Sequence, residues 1–378
     1  MRKTKRGEEV SDSNEVVGGV SSGLHQKIFF VLILLVLVLG SLNVAKARGW
    51  LIPVQPVVAV SEGKVISLDS LTLEQKIAQM IIVAGQTYNM DSWKKMGLGG
   101  IHLYAKKDAQ TYKTVISDFQ AGMIIPFFVT ADLEGCLNPF GAFRNSTAAA
   151  EIKTVGEAYQ KGSDDGTFLK ELGFSINFAP VVDLDDQIWH CRAFRGDEKK
   201  ISELAEAYIL GLQSQGIIGT VKHYPGKTLV TKDPHKFLVT AMIDTHDTYP
   251  YDYLLRKQEP KAVMVTHVIA TGVVDSEGKP SVVSVRAVGG IKSEFSGLIV
   301  TDDTMMLGLR NFYSSREEMY VDVFKAGNDL IINFDEDPNE IYHMIQVVRG
   351  AVMAGEISEK QIDESVRKIL MAKGFVVK

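Results

Sequence analysis

At 296–306 the chain reads SGLIVTDDTMM, a run of β-forming residues that ends in two adjacent acids, Asp302 and Asp303. The pattern recurs. Asp132 closes IPFFVTAD, Asp183 closes INFAPVVD, His223 closes IIGTVKH, and His267 stands near the end of AVMVTHV. A carboxylate at a strand end can attack an electrophilic carbon or orient a hydroxyl, and an imidazole there can carry a proton near neutral pH. One such acid is equally well a helix N-cap, and for Asp183 and Asp303 that alternative stays open. Polar groups at the same end of five strands point instead to one shared pocket.

The elements that must position these groups follow from the apolar pattern. Eight short runs begin near residues 80, 100, 125, 176, 217, 262, 298 and 329. They are nearly continuous rather than alternating, as strands buried on both faces should be. The polar stretches between them are long enough for crossover helices. Eight β/α units predict an α/β fold, a single TIM-type (β/α)8 barrel, in which functional groups gather on loops after the strands' C-terminal ends. In the last helix Ser358 and Gln361 have the spacing of a capping box, Ile362, Val366, Ile369 and Leu370 form one apolar face, and Gly374 marks the stop.

The chain has 378 residues, 46% of them hydrophobic, and a formal net charge of −5, with no basic run that would suit a nucleic acid. Residues 28–39, IFFVLILLVLVL, carry no charge, and the apolar character extends to Ala45. Arg2, Lys3, Lys5, Arg6 and Lys27 precede the segment, which would keep the N-terminus cytoplasmic and the remainder outside. Ala45-Lys46-Ala47 resembles a signal-peptidase site, so a cleaved leader competes with a transmembrane anchor; the long polar leader favours the anchor. Residues 1–27 are then a cytoplasmic tail, 28–45 the anchor or signal segment, 46–66 a linker and 67–378 the barrel. Two cysteines, Cys136 and Cys191, without a CxxC, form neither a disulfide framework nor a zinc motif.

KHYPGKTLVTKDPH (222–235) resembles the Lys-His-Phe-Pro-Gly…Asp-Ser-His segment of bacterial β-N-acetylhexosaminidases in glycoside hydrolase family 3. LIVTDDTMM resembles that family's Ser-Asp-Asp-Leu-x-Met nucleophile segment, and ADLEG (131–135) its Asp-x-Glu-Gly. NFAPVVDLD, CRAF, VMVTHV, AGNDLII and ISEKQIDESVRKIL follow in the family's order, so that the resemblance covers about residues 67–373. It implies a retaining exo-glycosidase acting on terminal β-N-acetylglucosaminides of peptidoglycan-type or related glycans. Asp302 would be the nucleophile and His235, backed by Asp233, the acid/base. Asp132, Lys222, His223 and Arg192 would hold sugar hydroxyls, His267 would stand behind the reacting groups, and Glu134 would organise its turn. No metal or organic cofactor is implied, and a monomer is the expectation.

Several positions depart from the family pattern. Its Glu-Gly-Gly-Arg continues here as Glu134-Gly135-Cys136-Leu137, and Phe140 stands where a second arginine is usual. Lys227-Thr228-Leu229-Val230 replace His-Gly-Asp-Thr, and Pro234 replaces the serine between the dyad partners, which would stiffen the loop. Both cysteines fall in altered motifs on neighbouring loops. A Cys136–Cys191 disulfide is therefore expected beside the sugar site, with two free thiols as the alternative. Other functions stay open: a catalytically lapsed glycan-binding protein, or a phosphorylase or β-glucosidase of the same family. A zinc hydrolase using His223, His267 and Asp302 is disfavoured, because no His-x-His follows the first strand.

Overall fold

The eight apolar runs form eight parallel strands. They are β1 (Ile81–Ala84), β2 (Gly100–His102), β3 (Phe128–Ala131), β4 (Ile176–Asn177), β5 (Ile218–Tyr224), β6 (Ala262–Val265), β7 (Leu298–Thr301) and β8 (Ile331–Ile332). Neighbours pair in the order β7-β6-β5-β4-β3-β2-β1-β8. A parallel bridge between Val300 and Leu330, with Thr301 N donating to Leu330 O at 2.9 Å, joins the two ends into a barrel. Every residue of β1, β3, β6 and β7 is buried. Side chains fill the inside and helices cover the outside, which explains why the runs show no polar alternation.

The computed structural model describes residues 22–47, 49, 51–229, 232, 233 and 235–378. Residues 48–378 form one compact unit. The other unit contains a helix, Ser22–Ala47, of which Gln26–Ala45 is long and apolar enough to cross a membrane. At 1.5 Å per residue those 20 residues span about 30 Å.

Two crossover helices show how closely the outer layer packs. Val155–Leu172 starts at a capping box of Thr154 and Glu157 and lies against Glu198–Ser214. A Cβ on Gly162 would stand 2.1 Å from Tyr208 O, and one on Gly211 would stand 2.2 Å from Tyr159 O, so only glycine allows this crossing. The contact fixes Tyr208, whose hydroxyl accepts from Asn177 Nδ2 at 3.0 Å. Asn177 in turn holds both backbone groups of Leu133, N at 2.9 Å and O at 3.0 Å. A chain of packing thus runs from two outer helices to the loop that bears Asp132 and Glu134.

Three local features differ from expectation. The stretch expected as a linker lies partly on the barrel: Ile52 and Ile66 are buried, and Val65–Ile66 pairs with both Val60–Ser61 and Val376–Val377. Ser358 is the N-cap of Glu359–Ala372, but no capping box forms, because Gln361 Nε2 donates to Phe324 O at 2.7 Å instead. Thr240–Ile243 and Ile269–Gly272 form a small parallel pair beyond the ends of β5 and β6, with its own core of Val239, Ala241, Ile243, Val268 and Ala270. That pair anchors the chain just after His235.

Candidate active site

Asp132, Glu134, Arg192, Lys222, His223, His235, Asp302 and Asp303 line one pocket at the C-terminal ends of the strands. Its apolar walls come from Leu137, Phe178, Trp189, Met264, Ile332 and Phe334. Asp302 is the first residue beyond β7. Its N donates to Val265 O at 3.0 Å, and its Oδ1 accepts from Asp303 N at 2.8 Å. Burial pushes the Asp302 carboxyl upward, but His267, His223 and His235 outweigh it and hold the group below the usual carboxylate range. An anionic carboxylate at neutral pH is the form a nucleophile needs.

On the β3–β5 side a charged network shapes the pocket. Lys222 Nζ lies 2.6 Å from Asp132 Oδ1 and 2.6 Å from Glu134 Oε1. Arg192 grips Glu134 with Nε at 2.7 Å and Nη2 at 2.9 Å. Burial disfavours the Lys222 charge, yet the two carboxylates raise its pKa; burial likewise opposes ionisation of Glu134, and Lys222 and Arg192 hold its pKa low. Glu134 is therefore more than a turn organiser: it is the counter-ion that allows two cations to be buried. Asp132 Oδ2 lies 3.7 Å from His102 Nε2, and Asp132 lines the pocket, where its carboxylate can accept from a hydroxyl.

His223 is oriented from behind. Its Nδ1 lies 2.8 Å from Asp183 Oδ2, and its backbone N donates to Asp183 Oδ1 at 3.2 Å. Asp183 also accepts from Tyr251 Oη at 3.1 Å and from Thr228 Oγ1. It is a buried acceptor hub and not a helix cap, which resolves the alternative left open by the sequence. Asp303 caps no helix either. Its Oδ1 accepts from Met305 N at 3.0 Å and Phe334 N at 3.1 Å, and burial raises its pKa to about 6.

The loop after β5 brings His235 to the same pocket. His235 Nδ1 lies 2.7 Å from Asp233 Oδ1, which also accepts the His235 backbone N at 3.0 Å. The His235 carbonyl accepts from Leu307 N at 3.2 Å, five residues beyond Asp302. The altered loop base is well fastened. Lys227 Nζ sits 3.0 Å from Asp247 Oδ2, Thr228 bonds Asp183, and Leu229 is buried against Val181 and Ala193. Val230 and Pro234 lie outside the described residues, and so does the expected stiffening by Pro234. His267 Nε2 donates to Asp303 O at 2.8 Å, its buried Nδ1 has no hydrogen-bond partner among the described residues, and burial lowers its pKa.

Cys136 and Cys191 are joined in a disulfide, with Cα atoms 6.0 Å apart, tying the loop after β3 to the loop after β4. In the second loop Asp186 accepts from the backbone N of Trp189, Cys191 and Arg192 at 2.9, 2.9 and 2.7 Å. Phe140 does not border the pocket. It is fully buried among Tyr112, Phe143, Phe168 and Phe174. Among the described residues no group of three or more His, Cys, Asp or Glu side chains is arranged to hold a metal ion. Sequence reasoning missed the wall residues and His102. His102 ends β2 just as other site residues end their strands, and Trp189 is an aromatic residue in a short polar loop.

The model of the glycosyl hydrolase family 3 N-terminal domain matches residues 72–372. The β-hexosaminidase LpqI of Mycobacterium tuberculosis is 27% identical over 329 residues, covering 80% of this chain and 83% of that protein. A β-N-acetylglucosaminidase/β-glucosidase of Cellulomonas fimi is 26% identical over 340 residues, 79% of this chain but 57% of its own length. The solved structure of M. tuberculosis LpqI superposes with a TM-score of 0.74 at 25% identity, over 86% of this chain and 99% of that one. With a matched segment that spans the whole barrel, the chain belongs to glycosyl hydrolase family 3, as a glycosidase built on that family's N-terminal domain.

Proposed function

We propose that this glycosidase is a retaining exo-enzyme that removes terminal β-linked N-acetylglucosamine from peptidoglycan-type or related glycans. The helix within residues 22–47 anchors it to the membrane, with the barrel outside the cytoplasm. Asp302 attacks the anomeric carbon and His235 protonates the departing oxygen; the glycosyl ester on Asp302 is then hydrolysed by water that His235 deprotonates. Asp233 keeps the His235 proton on Nδ1, so that Nε2 faces the reaction, and it stabilises the imidazolium once formed. Asp132, Lys222, His223 and Arg192 orient the sugar hydroxyls.

The observation that carries this reading is the pairing of His235 with Asp233 on a loop bonded through Leu307 to the segment that follows Asp302. The test is incubation with a 2-deoxy-2-fluoro or 5-fluoro glycosyl donor, followed by peptide mass mapping. A label on Asp302 within 298–310 is expected; turnover of no β-hexosaminide together with no label overturns the proposal. The name of the C. fimi relative keeps a β-glucosidase activity in view, and product analysis with and without phosphate separates hydrolysis from phosphorolysis.

A further inference from the structure

Exposed aromatic rings are not spread evenly over the barrel unit. Among its described residues five are exposed: Tyr88, Tyr104, Tyr159, Trp189 and Phe237. Four of these stand in loops beyond strand ends, after β1, β2, β4 and β5, on the face that holds the pocket. A single exposed ring needs no explanation; four on one face do. Tyr88 is engaged by Glu336 through its hydroxyl, and Tyr104 packs edge-on against His102 and Phe334 beside Asp132. Trp189 and Phe237 remain, 39% and 49% exposed.

Both rings belong to the loops around His235. Trp189 lines the pocket together with His235, and Phe237 follows His235 by two residues. The two loops are joined at their bases, because Gln187 N and Ile188 N donate to Leu229 O at 3.0 and 3.2 Å. Trp189 is held by its backbone bond to Asp186 and by the neighbouring disulfide, and the Arg192 guanidinium lies 5.7 Å from its ring centre. Lys232 Nζ lies 5.6 Å from the Phe237 ring centre. Both rings are left open, and Trp189 stands on a tied loop, which suits a surface awaiting a partner.

We propose that Trp189 and Phe237 form a binding platform for the leaving-group sugars of a β-linked glycan chain. The inference rests on the assignment of His235 as acid/base: the departing oxygen must touch His235, so the remainder of the chain leaves past these two loops. A pyranose presents a face of C–H groups that stacks on an aromatic ring while its hydroxyls stay in water, and successive β-1,4-linked sugars turn opposite faces outward, matching rings on two loops. The enzyme then selects glycan chains over short glycosides.

The test uses the full chain in detergent micelles. In an Asp302→Asn background, calorimetric titration with β-1,4-linked N-acetylglucosamine of one to four units should show affinity rising about tenfold or more with length, the size of one good stacking contact. Trp189→Ala and Phe237→Ala should each flatten that rise, whereas Trp189→Phe should restore it. In the active enzyme, the alanine variants should cost a trisaccharide about tenfold more kcat/KM than the methyl β-glycoside. No dependence on length in the parent, or equal losses for both substrates, overturns the platform. If binding lengthens as expected while no β-hexosaminide is turned over, the hydrolase reading fails and the platform stands. If methyl glycoside and trisaccharide are cleaved alike and neither variant changes the ratio, the platform fails and the hydrolase reading stands.

Discussion

His235 and Asp303 carry the sharpest expectations at the scale of single residues. In the mechanism proposed above His235 donates the proton to the leaving oxygen, so in His235→Ala kcat for alkyl glycosides should fall about 10²–10⁴-fold. Leaving groups that depart without a proton should be spared at the first step, and added azide should restore turnover by replacing the water that needs a base. A uniform loss across leaving groups, with no azide rescue, would remove His235 from that role. Asp303 has a folded pKa raised to about 6 by burial. A carboxyl of this kind contributes stability that is complete below about pH 4 and is lost as pH rises through about 6. Asp303→Asn keeps an acceptor for Met305 N and Phe334 N but cannot ionise, so its melting temperature should stay flatter between pH 4 and 6.5 than that of the parent. An unchanged slope would show that Asp303 is not the group responsible.

Elements explain what the sequence could disclose. The strands were legible because parallel strands buried on both faces leave continuous apolar runs, and Asp132, Asp183, His223, His267 and Asp302 stood out by repeating at their ends. The Asp233/His235 pair was legible only through resemblance, since an acid two residues from a histidine in a polar loop looks like any solvated pair. Phe334 and Met264 could not be told from core, because apolar residues do not declare whether they face a pocket or a helix. The pairing of Val65–Ile66 with Val376–Val377 was hidden for another reason: it joins segments about 310 residues apart, and two-residue strands carry no periodicity. The disulfide belongs to this scale as well. It closes a separation of 55 residues, which in the chain-entropy picture stabilises the fold by about 4 kcal/mol. Changing Cys136 and Cys191 to serine should lower the urea midpoint accordingly; an unchanged midpoint would show that the loops hold each other without it.

For the whole molecule, the division at Ala47 has a direct consequence. Residues 48–378 contain the barrel, its helices and every pocket residue, whereas the Gln26–Ala45 helix exposes only apolar side chains to its surroundings, Ser41 and a few others apart. Removing residues 1–47 should yield a protein that stays in solution without detergent and keeps a cooperative thermal transition and the parent's kcat/KM on a methyl glycoside. Aggregation of that fragment, or loss of its thermal transition, would contradict the division. The barrel's filled interior has a further effect on how a glycan is consumed. The pocket is a well floored by that packed interior, with no passage through the strands. Under the proposed exo-cleavage the sugar held at its bottom follows the departing chain out, so each cut should end in full dissociation. Digestion should then shorten many chains by one unit each before any chain loses several, and free monosaccharide should compete for the vacated well as it accumulates.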